Sequence, residues 1–443
     1  MFQLNGLELG VATAAAQIEG GALDSNWNRY SDAGKIYDGS NIKRAADHWH
    51  RYREDVDLLE ALEIKHYRMS VAWARLEPRP GQFDDEALAR YRTEIALLRS
   101  KKIEVLLTLH HFSHPGWFDD LGGFTRAENA PYFLRFVEYV VRGLGDLVSD
   151  FCTINEPNVY AVNGFLFGEW LEEEHSLRKT LHVLDVFTLC HIQAYQAIHA
   201  IFKECGWGTP CVSFAHHIRV FHTEGHRPWD RLARRFFNFA FQKGLFSCMA
   251  QGRFRFPFHN LGHFPPGQYI DCIAINYYTR GMVRDFHDTV KKDSIKNDLG
   301  WEIYPPGILE ACQMLYDLLP LDIMITENGT CDNADDFRPR YLYDHLKLLA
   351  ESPLPIRRYY HWCFTDNFEW KEGELPRFGL VSVDYASQKR TIKTSGYFYR
   401  DIIRAGGVTP ALYDQYVRPA HYHHGERNIF RGVLSEAQLT NKR

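Results

Sequence analysis

The sequence predicts one α/β domain folded as a closed (β/α)8 barrel, the TIM barrel. Its 443 residues suit one large barrel as well as two or three average domains. Short apolar or β-branched runs alternate with longer amphipathic segments, and eight such pairs can be counted. No glycine-rich dinucleotide fingerprint follows the first run, which counts against an open, doubly wound sheet.

The predicted strands are short apolar runs that end at loops: 9–13, 66–71, 103–109, 151–155, 210–214, 269–276, 321–327 and 356–364. The predicted helices carry apolar residues at helical spacing: 47–62, 86–100, 132–147, 180–203, 306–319, 342–350 and 388–403. The segment 258–267, rich in Pro, Gly and His, is predicted as a surface loop before the sixth strand.

No internal repeat or low-complexity linker divides the chain, so we expect one catalytic barrel over 1–404. Residues 405–443 are predicted to be a C-terminal extension that packs on the barrel or trails from it. Its histidines at 421, 423 and 424 lack the carboxylate or cysteine partners of a recognisable metal site. We therefore expect no metal there, and no cofactor elsewhere.

Composition excludes several partners. The net charge is −5, from 51 basic and 56 acidic residues, so the chain as a whole shows no sign of binding nucleic acid or membrane. No signal peptide and no membrane-length apolar run is recognisable. The nine cysteines include no Cys-x-x-Cys pair, and Cys152, Cys272 and Cys363 lie in apolar runs, which favours reduced thiols and a cytoplasmic location. Oligomeric state stays open.

Two carboxylates follow predicted strands far apart in the sequence. Glu156 stands in Thr-Ile-Asn-Glu-Pro after the fourth run, and Glu327 stands in Ile-Thr-Glu-Asn-Gly at the end of the seventh. Carboxyl ends of barrel strands meet on one rim, where TIM-barrel enzymes place their chemistry. A pair of carboxylates there supplies the acid/base and the nucleophile that a hydrolase needs.

Other polar and aromatic residues lie within the predicted strands, at their ends or just after them. Each alone has an ordinary structural explanation, such as a rim ion pair or a core aromatic ring, but together they favour a site. They are Gln17, Arg68, His111, Asn155, Asn276, Tyr278, Trp362, Glu369 and Trp370.

All of these residues except Trp362 lie in a set of motifs that occur in one family's order. The motifs are ATAAAQIEG, YRMSVAWARLEP, TLHHFSHP, TINEPN, INYYT, ITENG and DNFEWKEG. Through them the chain resembles glycoside hydrolase family 1, the β-glucosidase and β-galactosidase family of TIM barrels, from about residue 9 to residue 404.

The resemblance implies a retaining mechanism with a covalent glycosyl-enzyme. Glu327 matches the nucleophile, and Glu156 matches the acid that protonates the leaving oxygen and then the base that activates water. Such a pair is expected about 5–5.5 Å apart, and two like charges at that distance keep one carboxyl protonated near neutrality. Arg68 and Tyr278 match the neighbours that keep the nucleophile ionised.

The resemblance also implies the sugar contacts. Asn155 matches the amide that holds the 2-hydroxyl, and Asn276 matches a polar neighbour of the acid/base. Trp362 matches the aromatic floor under the sugar ring. The holders of the remaining hydroxyls are Gln17, His111, Glu369 and Trp370.

The implied function is hydrolysis of terminal β-D-glucosyl residues, with β-D-galactosyl and β-D-fucosyl residues as further candidates and a small β-glycoside or oligosaccharide as substrate. Two alternatives are a 6-phospho-β-glycosidase and a non-catalytic sugar-binding barrel. Glu369 would repel a 6-phosphate, and residues 371–374 hold no Ser-Lys-Tyr cluster, so unphosphorylated sugars are favoured. Asn158 stands where many members of the family have Trp, and Phe112-Ser113-His114 replaces the more usual Trp-Asp-Leu.

Overall fold

Eight parallel strands form a closed barrel, as predicted. The computed structural model describes residues 1–225, 227–285, 287–424 and 428–430. The barrel strands are β1 Glu8–Ala12, β2 His66–Ser70, β3 Glu104–His110, β4 Asp150–Asn155, β5 Cys211–His217, β6 Ile273–Asn276, β7 Ile323–Asn328 and β8 Ile356–Trp362. Each strand pairs with the next in the sequence, and β8 closes the barrel on β1.

Helices surround the barrel. In the described residues the α-helices are Ala15–Ile18, Asn26–Asp32, His48–Ala61, Trp73–Leu76, Asp85–Ser100, Gly116–Asp120, Ala130–Leu144, Pro157–Ala161, Leu177–Cys205, Pro228–Asn238, Gly244–Gln251, Gly307–Tyr316, Arg338–Ala350, Thr394–Ala405 and Pro410–Leu412. The longest begins where the Ser176 side chain accepts a hydrogen bond from the Lys179 N–H, and it ends at Gly206 in the left-handed conformation. No helix among these is long and apolar enough to cross a membrane.

Helix Ala130–Leu144 shows how the core is built. Its buried residues recur at helical spacing, with Phe133, Val137, Val140 and Leu144 all 0% exposed. That spacing places them on one face, which packs inward. Full burial of each such side chain contributes about 1.5–3 kcal/mol, so the amphipathic pattern fixes the helix against the barrel.

Within the described residues, three small sheets lie outside the barrel. Strand Phe2–Gln3 pairs with Gly407–Val408, and strands Val381–Asp384 and Lys389–Ile392 form a hairpin. The third sheet joins Val220–Thr223, Arg280–Arg284 and His287–Thr289. The segments of this third sheet extend β5 and β6 beyond the carboxyl ends of those strands.

The predicted helix 388–403 is wrong in its first third. Residues 389–392 are the second strand of the hairpin, and the helix begins only at Thr394. The reason is tertiary: Arg390 is 7% exposed and its Nε donates to buried Asp55 at 2.9 Å, a contact that the strand conformation permits. Gln388, with φ +60°, turns the chain into that strand.

The described part of the C-terminal extension packs on the barrel. The Tyr422 hydroxyl donates to Asp344 at 2.9 Å, and His423 Nε2 lies 3.0 Å from Asp336. Phe430 is fully buried. The rest of the extension, residues 425–427 and 431–443, lies outside the described residues.

Candidate active site

The two carboxylates lie on the carboxyl-end rim of the barrel, as the strand pattern predicts. Glu156 follows β4 directly and Glu327 lies within β7, and they are 6% and 3% exposed. Glu156 has φ +43°, a left-handed conformation that is costly for a residue with a side chain and recurs at functional sites. Its N–H donates to the Ala215 carbonyl at 2.8 Å, which fixes this turn against β5.

Both oxygens of Glu327 accept hydrogen bonds. The fully buried Arg68 donates through Nη1 to Oε1, and the Tyr278 hydroxyl donates to Oε2 at 2.6 Å. Burial raises the pKa of Glu327 to about 7, against the lowering effect of Arg68 and with a further raising effect from Glu156. The donors on Glu327 therefore offset part of the effect of burial, which disfavours the charged form.

A chain of hydrogen bonds connects the two carboxylates. Asn155 Oδ1 accepts from Arg68 Nη2 at 2.6 Å and from Asn276 Nδ2 at 3.1 Å. Asn276 Nδ2 also donates to Glu156 Oε1 at 2.8 Å. The Thr326 hydroxyl donates to Asn276 Oδ1 at 2.7 Å, which fixes the orientation of that amide. The carboxyl groups and the two amides therefore form one rigid polar unit.

The same network sets the tautomer of His111. Because the oxygen of Asn155 faces Arg68, its Nδ2 faces His111 Nε2 and donates to it at 2.9 Å. The proton of the ring then lies on Nδ1, a buried atom without a partner among the described residues. Burial, with Arg68 adding, lowers the pKa of His111 well below its ordinary value. His111 is therefore neutral, with its donor on Nδ1.

Gln17 and Glu369 form a second polar pair on the rim. Gln17 Nε2 donates to the Phe368 carbonyl at 2.8 Å and to Glu369 Oε2 at 3.3 Å. This leaves Gln17 Oε1 buried without a partner among the described residues. Burial raises the pKa of Glu369 well above its ordinary value, and Glu372 and Glu327 add to this effect. The pair offers an acceptor and a readily protonated carboxyl.

Aromatic rings form the wall of the site beside His111. The rings of Trp362 and Trp370 lie 5.8 and 5.9 Å from the His111 ring. Phe112 lies 5.2 Å from Trp370, and Trp170 lies 5.0 Å from Phe112. Flat apolar faces of this kind suit the C–H faces of a sugar ring.

His217 belongs to the site although the sequence analysis does not name it. Its Nδ1 lies 3.2 Å from Glu156 Oε1, and its ring stacks on that of Tyr278 at 6.2 Å. The predicted fifth strand stops at residue 214, three residues before β5 ends. The apolar run gives way to the two histidines of Ala215-His216-His217, although the strand continues through them to the rim.

The Asn158 side chain forms hydrogen bonds with main-chain carbonyl groups. Its Nδ2 donates to the carbonyls of His217 and Phe241 at 2.8 and 3.1 Å. The Asn158 amide, at the position where many family members have Trp, therefore links the segment after β4 to the end of β5 and the segment beyond it.

Gly329, the last residue of the ITENG motif, is required by the packing of β7 on β8. A Cβ there would lie 1.8 Å from the Trp362 carbonyl oxygen, so only glycine lets β7 approach β8 this closely. This close approach brings the strand that carries Glu327 beside the strand that carries Trp362.

A TIM barrel whose rim joins two buried carboxylates to neutral donors and an aromatic wall is built as a carbohydrate-active hydrolase. The model of the family "Glycosyl hydrolase family 1" matches residues 5–255 and 267–408. The chain belongs to this family and is a glycoside hydrolase that acts on O-glycosyl bonds.

Relatives are similar over most of their length. Beta-glucosidase A of Thermotoga maritima is 30% identical over 90% of this chain and 97% of its own. The beta-glucosidase of Agrobacterium sp. is 30% identical over 88% and 93%. Among solved structures, a beta-glycosidase from Pyrococcus horikoshii gives a TM-score of 0.82 at 31% identity, with 94% of this chain and 96% of that chain covered. The Thermotoga maritima beta-glucosidase in complex with glucoimidazole gives 0.83 at 28% identity, with coverage of 92% and 100%.

Proposed function

We propose that the protein is a retaining β-glycosidase that hydrolyses terminal β-D-glucosyl residues of small glycosides or oligosaccharides. Glu327 is the nucleophile and forms the glycosyl-enzyme, and Glu156 protonates the leaving oxygen and then deprotonates water. The observation that carries the proposal is the pairing of donors on Glu327. Arg68 and Tyr278 donate to both its oxygens, and such donors favour the ionised carboxylate that a nucleophile needs.

In this proposal Glu156 supplies the proton that the leaving oxygen receives. Asn276 donates to Glu156 Oε1, which leaves Oε2 to carry the proton toward the leaving oxygen. A separation of about 5–5.5 Å between the two carboxyl groups is part of this proposal.

The unpartnered polar atoms are assigned to the sugar. His111 Nδ1 donates to one hydroxyl, and Gln17 Oε1 accepts from another. Glu369 receives a further hydroxyl, Trp370 lies beside it, and Trp362 is the floor under the ring. Asn155 holds the 2-hydroxyl, where a hydrogen bond strengthens as the oxocarbenium-like transition state forms.

An unphosphorylated sugar fits this arrangement. Glu372 and Glu327 lie close enough to Glu369 to raise its pKa, so the surroundings of the assigned hydroxyl holders are acidic. A sugar 6-phosphate would add about two negative charges there, and residues 371–374 hold no Ser-Lys-Tyr cluster to receive them.

Two variants separate the two roles. Glu156→Ala should still form the glycosyl-enzyme from 2,4-dinitrophenyl β-D-glucoside, because that leaving group needs no proton. It should then stall, and added azide should release β-glucosyl azide. Glu327→Ala should lose hydrolysis of every aryl β-glucoside. The matched control is Glu204→Gln, an exposed carboxylate on the outer helix Leu177–Cys205. Near-normal turnover by Glu327→Ala would overturn the proposal.

The glycon is settled by a panel of aryl β-D-glucoside, β-D-galactoside, β-D-fucoside and β-D-glucoside 6-phosphate. The highest kcat/KM is expected on an unphosphorylated glycoside. A preference for the 6-phosphate would contradict the assignment of Glu369.

A further inference from the structure

Helix Pro228–Asn238 carries an exposed apolar stripe. Trp229, Leu232 and Phe236 are 48%, 63% and 41% exposed. Their spacing of three and then four residues places them on one face of the helix. These three side chains are called the exposed stripe below.

The exposed stripe is not the face by which the helix packs. Asp230 and Ala233 are 2% and 1% exposed, and Asp230 accepts a hydrogen bond from the Asp285 N–H at 2.8 Å. The Phe237 ring packs 5.6 Å from Phe221. The helix is thus already anchored to the three-stranded sheet, and the stripe lies on a different face.

A basic edge runs beside the exposed stripe. Arg231 and Arg235 are exposed, and helical geometry places them next to Leu232 on the side away from Ala233. Segment 219–243 holds six basic and two acidic residues, in a chain whose net charge is −5. Aspartates 285 and 288 form ion pairs with two of these six basic residues, so the basic edge depends on the exposed Arg231 and Arg235.

The occupant of this surface follows from its size and charge. A stable protein interface buries about 800 Å² on each partner, whereas three partly exposed side chains offer on the order of 300 Å². An antiparallel twofold pairing of two copies through the stripe would also bring the arginine edges close together. An anionic bilayer surface accepts a narrow apolar stripe flanked by cations.

We propose that helix Pro228–Asn238 binds the surface of an anionic lipid bilayer. The exposed stripe enters the boundary between headgroups and acyl chains, and Arg231 and Arg235 lie against the lipid phosphates. No membrane-spanning segment is involved.

The helix lies on the active-site end of the barrel. It packs on segments that continue β5 and β6 beyond the rim, and Asn158, two residues after Glu156, donates to the Phe241 carbonyl at 3.1 Å. The Phe241 ring is 6.3 Å from that of Phe236. Binding would hold the rim beside the proposed acid/base close to the lipid, where the glycosides of apolar aglycones concentrate.

Cosedimentation of the full chain with vesicles tests the proposal without any use of catalysis. The vesicles are phosphatidylcholine alone or phosphatidylcholine mixed with phosphatidylserine. The wild type should bind the mixed vesicles and lose binding as salt is raised. The triple variant Trp229→Ser, Leu232→Ser, Phe236→Ser should bind at least about tenfold more weakly. Arg231→Glu with Arg235→Glu should weaken binding by about fivefold or more for each arginine.

Matched controls separate the stripe from general surface effects. Leu121→Ser with Leu177→Ser removes leucines that are 40% and 42% exposed elsewhere, and Lys65→Glu reverses a charge at the opposite end of the barrel. These variants should bind like the wild type, and all variants should hydrolyse a soluble aryl glycoside normally. Absence of wild-type binding, unchanged binding by the triple variant, or a dimer that the triple variant abolishes would each overturn the proposal.

Discussion

Tyr278→Phe should move the acidic limb of the pH–activity profile upward. The hydroxyl donates to Glu327 Oε2 at 2.6 Å and stabilises the ionised form. A hydrogen bond to a charged group contributes about 1.5–3 kcal/mol, which corresponds to about 1–2 pKa units. Burial already raises the pKa of Glu327 to about 7, and loss of the donor raises it further. Activity requires ionised Glu327, so at pH 6 the active fraction should fall about 10–100-fold.

The assay is kcat/KM for an aryl β-D-glucoside from pH 5 to pH 9, because this quantity reports the free enzyme. Tyr195→Phe is the matched control: it removes another hydroxyl that donates to a carboxylate, Asp271 at 2.9 Å, away from the rim. The control profile should be unchanged. An acidic limb of Tyr278→Phe that stays in place or moves to lower pH would refute the reasoning.

Three further predictions concern the polar network and one buried ion pair. Arg68→Lys keeps the charge but cannot reach Glu327 and its amide neighbour together, so kcat/KM should fall about 100-fold with an unchanged melting temperature, and near-normal kcat/KM would count against the network. His111→Phe removes the assigned donor and should lower kcat/KM for the glucoside about tenfold, while an unchanged value would remove His111 from the sugar site. Burial disfavours charge on His48, but Glu94 and Asp55 raise its pKa to about 10. Its stabilising effect is present below pH 6.5 and is lost as pH rises through about 10. The melting temperature of His48→Gln should therefore lie below that of the wild type at pH 6, and the difference should disappear above pH 10. A difference that is the same at both pH values would contradict this.

Strand ends explain how much of the site the sequence predicts. Glu156 and Glu327 follow clear apolar runs, and a closed barrel forces such ends onto one rim. The sequence does not predict His217 as a site residue, because the apolar run ends at residue 214 while the strand continues to His217. Its contact with Glu156 also depends on the left-handed turn of that residue, which no local pattern indicates.

The error at residues 388–392 has a different cause. Val381–Asp384 alternates buried and partly exposed residues, as a strand does, and the hairpin partner includes the largely buried Arg390. The partner of Arg390 is Asp55, more than three hundred positions away in the sequence. Tertiary contacts of this kind override local periodicity, and a sequence window cannot contain them.

The protonation of the site is also invisible in the sequence. The motifs give Asn155 and His111 their positions, but the tautomer of the ring depends on the orientation of the amide. Arg68 sets that orientation through a contact between side chains on different strands. The sequence therefore predicts which residues lie at the site but not the hydrogen bonds between them.

Trapping of the glycosyl-enzyme tests the central claim most directly. With 2,4-dinitrophenyl 2-deoxy-2-fluoro-β-D-glucoside, the fluorine slows the second step, and peptide mass mapping locates the attached sugar. The account predicts loss of activity with the label on Glu327. A label on another residue, or an unlabelled enzyme that releases the α-anomer of the product, would contradict it.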